Sequence, residues 1–142
     1  MAADRQDSNC IFCKIIRGEI SCQRVFENEH LLAFLDINPL ATGHTVVIPK
    51  HHAERLEDLS TDQAAELARS FGQLAQAIVS TVGGEGYNLL QNNGSVAGQV
   101  VPHVHFHIIP RRVDDGLGYR WNVKSASPEE LAELAERIRI TI

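Results

Sequence analysis

Long apolar runs are missing from this 142-residue chain: none approaches the roughly 20 residues that a membrane-spanning helix needs. The opening MAADRQDSN is polar and carries acidic residues, so it lacks the apolar core of a secretion signal. Basic excess is missing too. A net charge of -5 argues against a dedicated binder of nucleic acid backbone, which needs a positive face, but leaves room for a small phosphorylated ligand held by local donors. Three cysteines make an odd count that suggests no disulfide framework, and a reducing cytoplasm is the expected setting. Internal repeats, linkers and low-complexity segments are absent. The length and the 44% apolar content suit one soluble domain with a real core.

Residues 1–9 are expected to form a disordered tail, with one domain over 10–142. CIFCKIIRG at 10–18 reads as a short helix stopped by Gly18. Strand-like runs follow at 23–28, 30–36 and 44–49, the last closed by Pro49. Ser60 and Gln63 form a capping box for a helix reaching Val82, with Ala64, Leu67, Phe71, Leu74, Ala75 and Ile78 as its apolar stripe. A strand at 86–92 and a glycine-containing loop at 93–99 lead to HVHFHIIP at 103–110. Ser127, Pro128 and Glu130 sign a last helix over 127–138. Hairpin-length connections among the early strands favour a mainly antiparallel α+β layer.

His103, His105 and His107 carry the chemistry. Spaced two apart, they share one face of a predicted strand, while Val104, Phe106 and Ile108 take the core face. Neighbouring members have Cα atoms about 6.5–7 Å apart, so two can chelate one ion, and at least one ring has another task. Cys10 and Cys13 form a C-x-x-C pair. It suits half of a tetrahedral zinc site, a redox couple, or two small buried hydrophobes. The histidines at 44, 51, 52 and in the triad supply candidate partners, which tips the reading to zinc. His30 and His51 read as surface residues and Cys22 as structural, while His44 alone reads equally as the opening of a strand or a turn residue bonded to backbone.

The run 103–110 is similar to the H-φ-H-φ-H-φ-φ signature (φ apolar) of the histidine triad, or HIT, superfamily. FLDINPLATGHTVVIPKHH at 34–52 resembles that family's strand-loop-strand and its Pro-Lys-x-His. NLLQNNGSVAGQVVPHVHFH at 88–107 resembles its lead-in to the triad. CIFCKIIRGEI at 10–20 and DGLGYRW at 115–121 look like the bacterial branch.

The resemblance implies a HIT-like fold with a five-stranded antiparallel sheet and two main helices, and a homodimer with a ten-stranded sheet. It implies hydrolysis or transfer at the α-phosphate of a purine nucleotide. His105 maps to the nucleophile that forms a nucleotidyl-histidine intermediate, His107 to a phosphate contact, and His44 to the buried histidine that supports the triad. Asp36 and Ile37 match ribose and base contacts. Asn92, Gly98 and Gln99 match phosphate-side contacts. The metal set becomes Cys10, Cys13, His52 and His103 around a structural zinc. One position departs: Val100 stands where many phosphoramidase-type members have Ser or Thr after the Gly-Gln, which opens the site to P–O–P substrates such as dinucleoside polyphosphates. Two other readings remain. One is a nucleotide-binding regulatory adaptor with incidental turnover; the other is a metallohydrolase using His103 and His105 as a chelate, which lacks a carboxylate partner beside the motif.

Overall fold

A computed structural model describes residues 5–118 and 123–142. Its elements are α1 (Ile11–Ile16), β1 (Arg24–Glu27), β2 (Leu31–Leu35), β3 (Thr45–Pro49), α2 (Thr61–Val82), β4 (Gly86–Gln91), β5 (Phe106–Arg111) and α3 (Pro128–Arg139), with 3-10 turns at Leu56–Asp58 and Ser95–Ala97. The strands form one antiparallel sheet in the order β1-β2-β3-β5-β4. The expected α+β class and five-stranded antiparallel sheet are therefore what the chain adopts.

The central strands are apolar on both faces, and each face has a cover. Leu31, Ala33, Val47, Val104 and Ile108 pack with Leu67, Leu74, Ala75 and Ile78 of α2. Leu32, Phe34, Val46 and Ile48 point the other way and pack with Phe12, Cys13 and Ile15 of α1. Burying one such aliphatic or aromatic side chain contributes about 1.5–3 kcal/mol. The stripe on α2 is aimed by the Ser60–Gln63 capping box at its start and by Gly83 at φ 68° after its end. The Ser127–Glu130 box starts α3 as expected, and no residue of α3 is buried.

Two expectations need correction. The histidine strand does not begin at His103: β5 starts at Phe106. Its ladder with β3 ends at the pair Val47↔Phe106, and β3 itself closes at Pro49, which has no N–H to offer. His103 meets that strand end with its ring instead, Nε2 donating to the Pro49 carbonyl at 2.9 Å. The alternation survives the change, since Val104 and Ile108 are fully buried against α2 with Phe106 beside them. The second correction concerns the expected tail. Residues 5–9 are tied down: the His52 amide donates to the Arg5 carbonyl at 2.7 Å, the Arg5 amide to His51 Nδ1 at 3.2 Å, and the Cys10 amide to the Asp7 carbonyl at 3.2 Å. The rest of that tail, residues 1–4, lies outside the described residues, as do 119–122 of the stretch likened to the bacterial branch.

Candidate functional site

On the α1 face of the sheet the three histidines separate into two clusters. His103 turns toward α1, while His105 and His107 turn toward a cleft of about 460 Å³. Phe12 marks the divide, with its ring edge-on to both His103 and His105, at centroid distances of 5.8 and 5.2 Å.

The first cluster joins Cys10, Cys13, His52 and His103, all buried, with their ligand atoms within 4.8 Å of one another. The spacing of the two cysteines puts both thiols on one side of the helix start. Cys10 Sγ lies 3.4 Å from His103 Nδ1, Cys13 Sγ 3.4 Å from His52 Nδ1 and 3.6 Å from His103 Nδ1, and the two Nδ1 atoms are 3.2 Å apart. A tetrahedron built on Zn–S of about 2.3 Å and Zn–N of about 2.05 Å has S···N edges of about 3.6 Å and an N···N edge of about 3.4 Å. The donor set thus fits zinc in chemistry and in size. Because His103 Nε2 donates to Pro49, the lone pair stays on Nδ1, inside the cluster. Burial alone makes charge unfavourable here. It pushes the Cys13 thiol up to about 11 despite a bond from the Asp7 amide, and it holds His103 down near 4. A divalent cation supplies the counter-charge that a deprotonated thiol in this place needs.

The second cluster is a chain of proton positions. The Leu40 amide donates to His44 Nδ1 at 3.0 Å, which leaves the His44 proton on Nε2. That nitrogen lies 2.9 Å from His107 Nδ1 and donates to it, so the His107 proton sits on Nε2. His105 Nδ1 donates to the His103 carbonyl at 2.7 Å, which leaves Nε2 of His105 with a lone pair. The site therefore offers a bare imidazole nitrogen and an imidazole N–H from adjacent rings, whose centroids are 5.1 Å apart. Burial, then the neighbouring His105 and His44 rings, pushes His107 down to about 4; burial also lowers His44, against the pull of Asp36. Both are neutral at pH 7. Asp36, His44 and His107 also lie close enough to suggest a metal group, but His44 Nε2 carries a proton and offers no lone pair.

The remaining sequence candidates divide. Asp36, Ile37, Gly98, His105 and His107 all line the cleft. Asp36 Oδ1 accepts from the Asn38 amide at 2.8 Å and its other oxygen lies 3.6 Å from His44 Nε2. Gly98 has φ 92°, a left-handed geometry that favours glycine, at the end of the Ser95–Ala97 turn. Asn92 stands behind it, reaching the Gly98 carbonyl at 3.5 Å, and is not part of the cleft lining. Gln99 lies outside the cleft lining. Its side chain is buried and spent: Oε1 accepts from the Gly94 amide at 2.7 Å, and Nε2 donates to the carbonyls of Glu54 at 2.7 Å and Val101 at 3.1 Å. It braces the loop that leads to Gly98.

The apolar end of the cleft was not foreseen. Ile11, Phe12 and Ile15 of α1 form it with Ile20, Phe34 and Val46. The signal was present in IFCKII, a helix with Lys14 as its one polar residue. So short an apolar segment must bury more than one side, and the far side is the cleft wall.

Comparison with known proteins follows the same lines. The HIT domain model matches residues 17–114. An adenosine 5'-monophosphoramidase of Schizosaccharomyces pombe is 46% identical over 131 residues, covering 92% of this chain and 96% of that protein. A HIT family crystal structure from Bacillus subtilis superposes with a TM-score of 0.91 at 42% identity, covering 95% of this chain and 98% of the other. A Zn-bound histidine triad family protein from Mycobacterium smegmatis superposes at 0.74 with 35% identity, covering 91% and 97%.

Proposed function

The chain belongs to the HIT family, and from that premise we propose that it is a hydrolase or transferase acting at the α-phosphate of a purine nucleotide, through a covalent intermediate on His105. The observation that carries this reading is the pair of proton positions: a bare Nε2 on His105 beside an Nε2–H on His107, both at the wall of one cleft. Neutral imidazole is a competent nucleophile near pH 7.

In the first step His105 Nε2 attacks phosphorus. An N–P bond forms and the bond from phosphorus to the leaving nitrogen or oxygen breaks, with a proton from solvent going to the leaving group. His107 Nε2–H bonds a non-bridging oxygen as its charge grows, and the position of that proton, set by His44, costs no reorganisation. Water then attacks phosphorus from the side the leaving group vacated. The N–P bond breaks, the water's proton returns to solvent, and a nucleoside monophosphate leaves with His105 restored. Asp36 accepts from the ribose hydroxyls, Ile37 and the α1 side chains hold the base, and Gly98 lets the loop approach the phosphate.

Cys10, Cys13, His52 and His103 would hold zinc. Four protein ligands close its coordination, so the ion supplies structure and not an activated water. The His103 carbonyl that bonds His105 belongs to one of those ligands, so the metal site steadies the nucleophile through its neighbour. A homodimer is supported by β4, an edge strand that presents exposed Tyr87 and Leu89.

The test is AMP release from adenosine 5'-phosphoramidate and from diadenosine tetraphosphate, with His105→Ala alongside. Release by the wild type and its loss in the variant is expected. The faster substrate reports what Val100 permits. No release from either by folded protein contradicts the hydrolase and favours the nucleotide-binding adaptor.

A further inference from the structure

The four buried cysteine and histidine side chains do not complete their cluster alone. Asp7, outside the ligand set and inside the stretch expected to be disordered, meets it at three points. Its amide donates to Cys13 Sγ at 3.4 Å. Its carbonyl accepts from the Cys10 amide at 3.2 Å, which fixes the entry into α1. Its carboxylate oxygen Oδ2 lies 3.9 Å from His52 Nε2, the ring nitrogen facing away from the cluster. Oδ1 of the same carboxylate accepts from the Asn9 amide at 2.8 Å, so the side chain has a set orientation. The backbone around it is pinned by the bond from the His52 amide to the Arg5 carbonyl.

We propose that Asp7 is a positioning residue of the metal centre, acting through His52 and Cys13 rather than binding the ion. The inference rests on the zinc reading above. A histidine that gives Nδ1 to a cation must carry its proton on Nε2, and a carboxylate facing that N–H fixes the tautomer, turns the ring and makes the ligand a stronger base. At 3.9 Å the carboxylate lies beyond direct hydrogen-bond reach of the neutral ring. It acts on His52 by charge, and this is the part a neutral amide cannot supply. The Asp7 amide performs the matching task on the other side, donating to Cys13 Sγ, whose negative charge grows as the thiol loses its proton.

Asp7 also borders a hollow beside the cluster. Asp7 and Asn9 line a hollow of about 290 Å³ that also touches Cys10, Ile11, Val100, Val101 and Pro102. Cys10 is the ligand reached from that hollow, and the Asp7 side chain is 47% exposed at its edge. Ile11, Val100 and Val101 also line the nucleotide cleft, so the metal centre and the cleft share a wall.

Asp7→Asn isolates the charge, because it keeps the backbone contacts and an oxygen for the Asn9 amide. Zinc affinity is measured by competition with a chromophoric chelator, and unfolding temperature is measured on zinc-free protein. Asp7→Asn is expected to weaken zinc binding 10- to 100-fold. Asp7→Glu should recover part of that loss, and the zinc-free wild type and Asp7→Asn should unfold at the same temperature. Equal zinc affinity in the wild type and Asp7→Asn overturns the proposal while the metal centre stands. So does a zinc-free Asp7→Asn that is already less stable, since the contact would then be structural. A wild type that takes no zinc from the chelator overturns the metal centre itself, and Asp7's role with it.

Discussion

Replacing His44 by alanine tests whether the proton chain in the cleft matters for chemistry. In the wild type one ring satisfies two partners, accepting from the Leu40 amide at 3.0 Å and donating to His107 Nδ1 at 2.9 Å. His44 is 3% exposed, so water does not readily replace it. Without it, His107 Nδ1 loses its donor and the imidazole is free to carry its proton on the wrong nitrogen. A lone pair then faces the phosphate where an N–H had been. Leaving one such buried group unpartnered costs about 1–3 kcal/mol. If that loss falls in the transition state, kcat drops about 5- to 150-fold. KM should move little, because the bond strengthens as phosphoryl charge develops. The assay is steady-state AMP release by His44→Ala, with circular dichroism to show a native fold. A folded variant whose kcat stays within about twofold of wild type refutes the tautomer argument.

Other outcomes follow from the same structure. Gln99→Ala strips partners from the Gly94 amide and two carbonyls, so unfolding free energy in urea should fall by about 1–3 kcal/mol; unchanged stability would contradict the bracing role. His107 is held down to about 4 when folded but titrates near 6.5 when unfolded, so the unfolded chain binds more protons between those values. Stability should therefore fall as pH drops from about 6.5 toward 4, and a stability that rises on acidification across that window contradicts the burial argument. Cys13→Ser should abolish zinc retention and weaken nucleotide binding together, since α1 carries both Cys13 and the cleft wall; full nucleotide affinity in zinc-free protein would show the two sites to be independent.

The parts of this fold that could be read in advance are those written in local chemistry. The capping boxes at Ser60 and Ser127 set both longer helices because their hydrogen bonds span three residues. The Val104, Phe106, Ile108 alternation gave the core face correctly, since that pattern depends only on the pleat. The start of β5 was missed because it depends on a residue far away: Pro49 ends the neighbouring strand, and no local signal at His103 reports that. The bracing by Gln99 is hidden for a similar reason, as its partner carbonyl at Glu54 is 45 residues distant. The docking of Asp7 likewise depends on contacts with Cys13 and His52, in a segment whose polar composition reads as a loose tail.

The central claim is that His105 attacks phosphorus itself. The steric course of hydrolysis tests it most directly, using an adenosine phosphorothioate substrate of known configuration at phosphorus, with isotopically labelled water to report the product. Two in-line displacements, first by His105 Nε2 and then by water, give net retention, which is the expected result. Net inversion would mean a single direct attack by water, and His105 would then bind the phosphate without ever bonding to it.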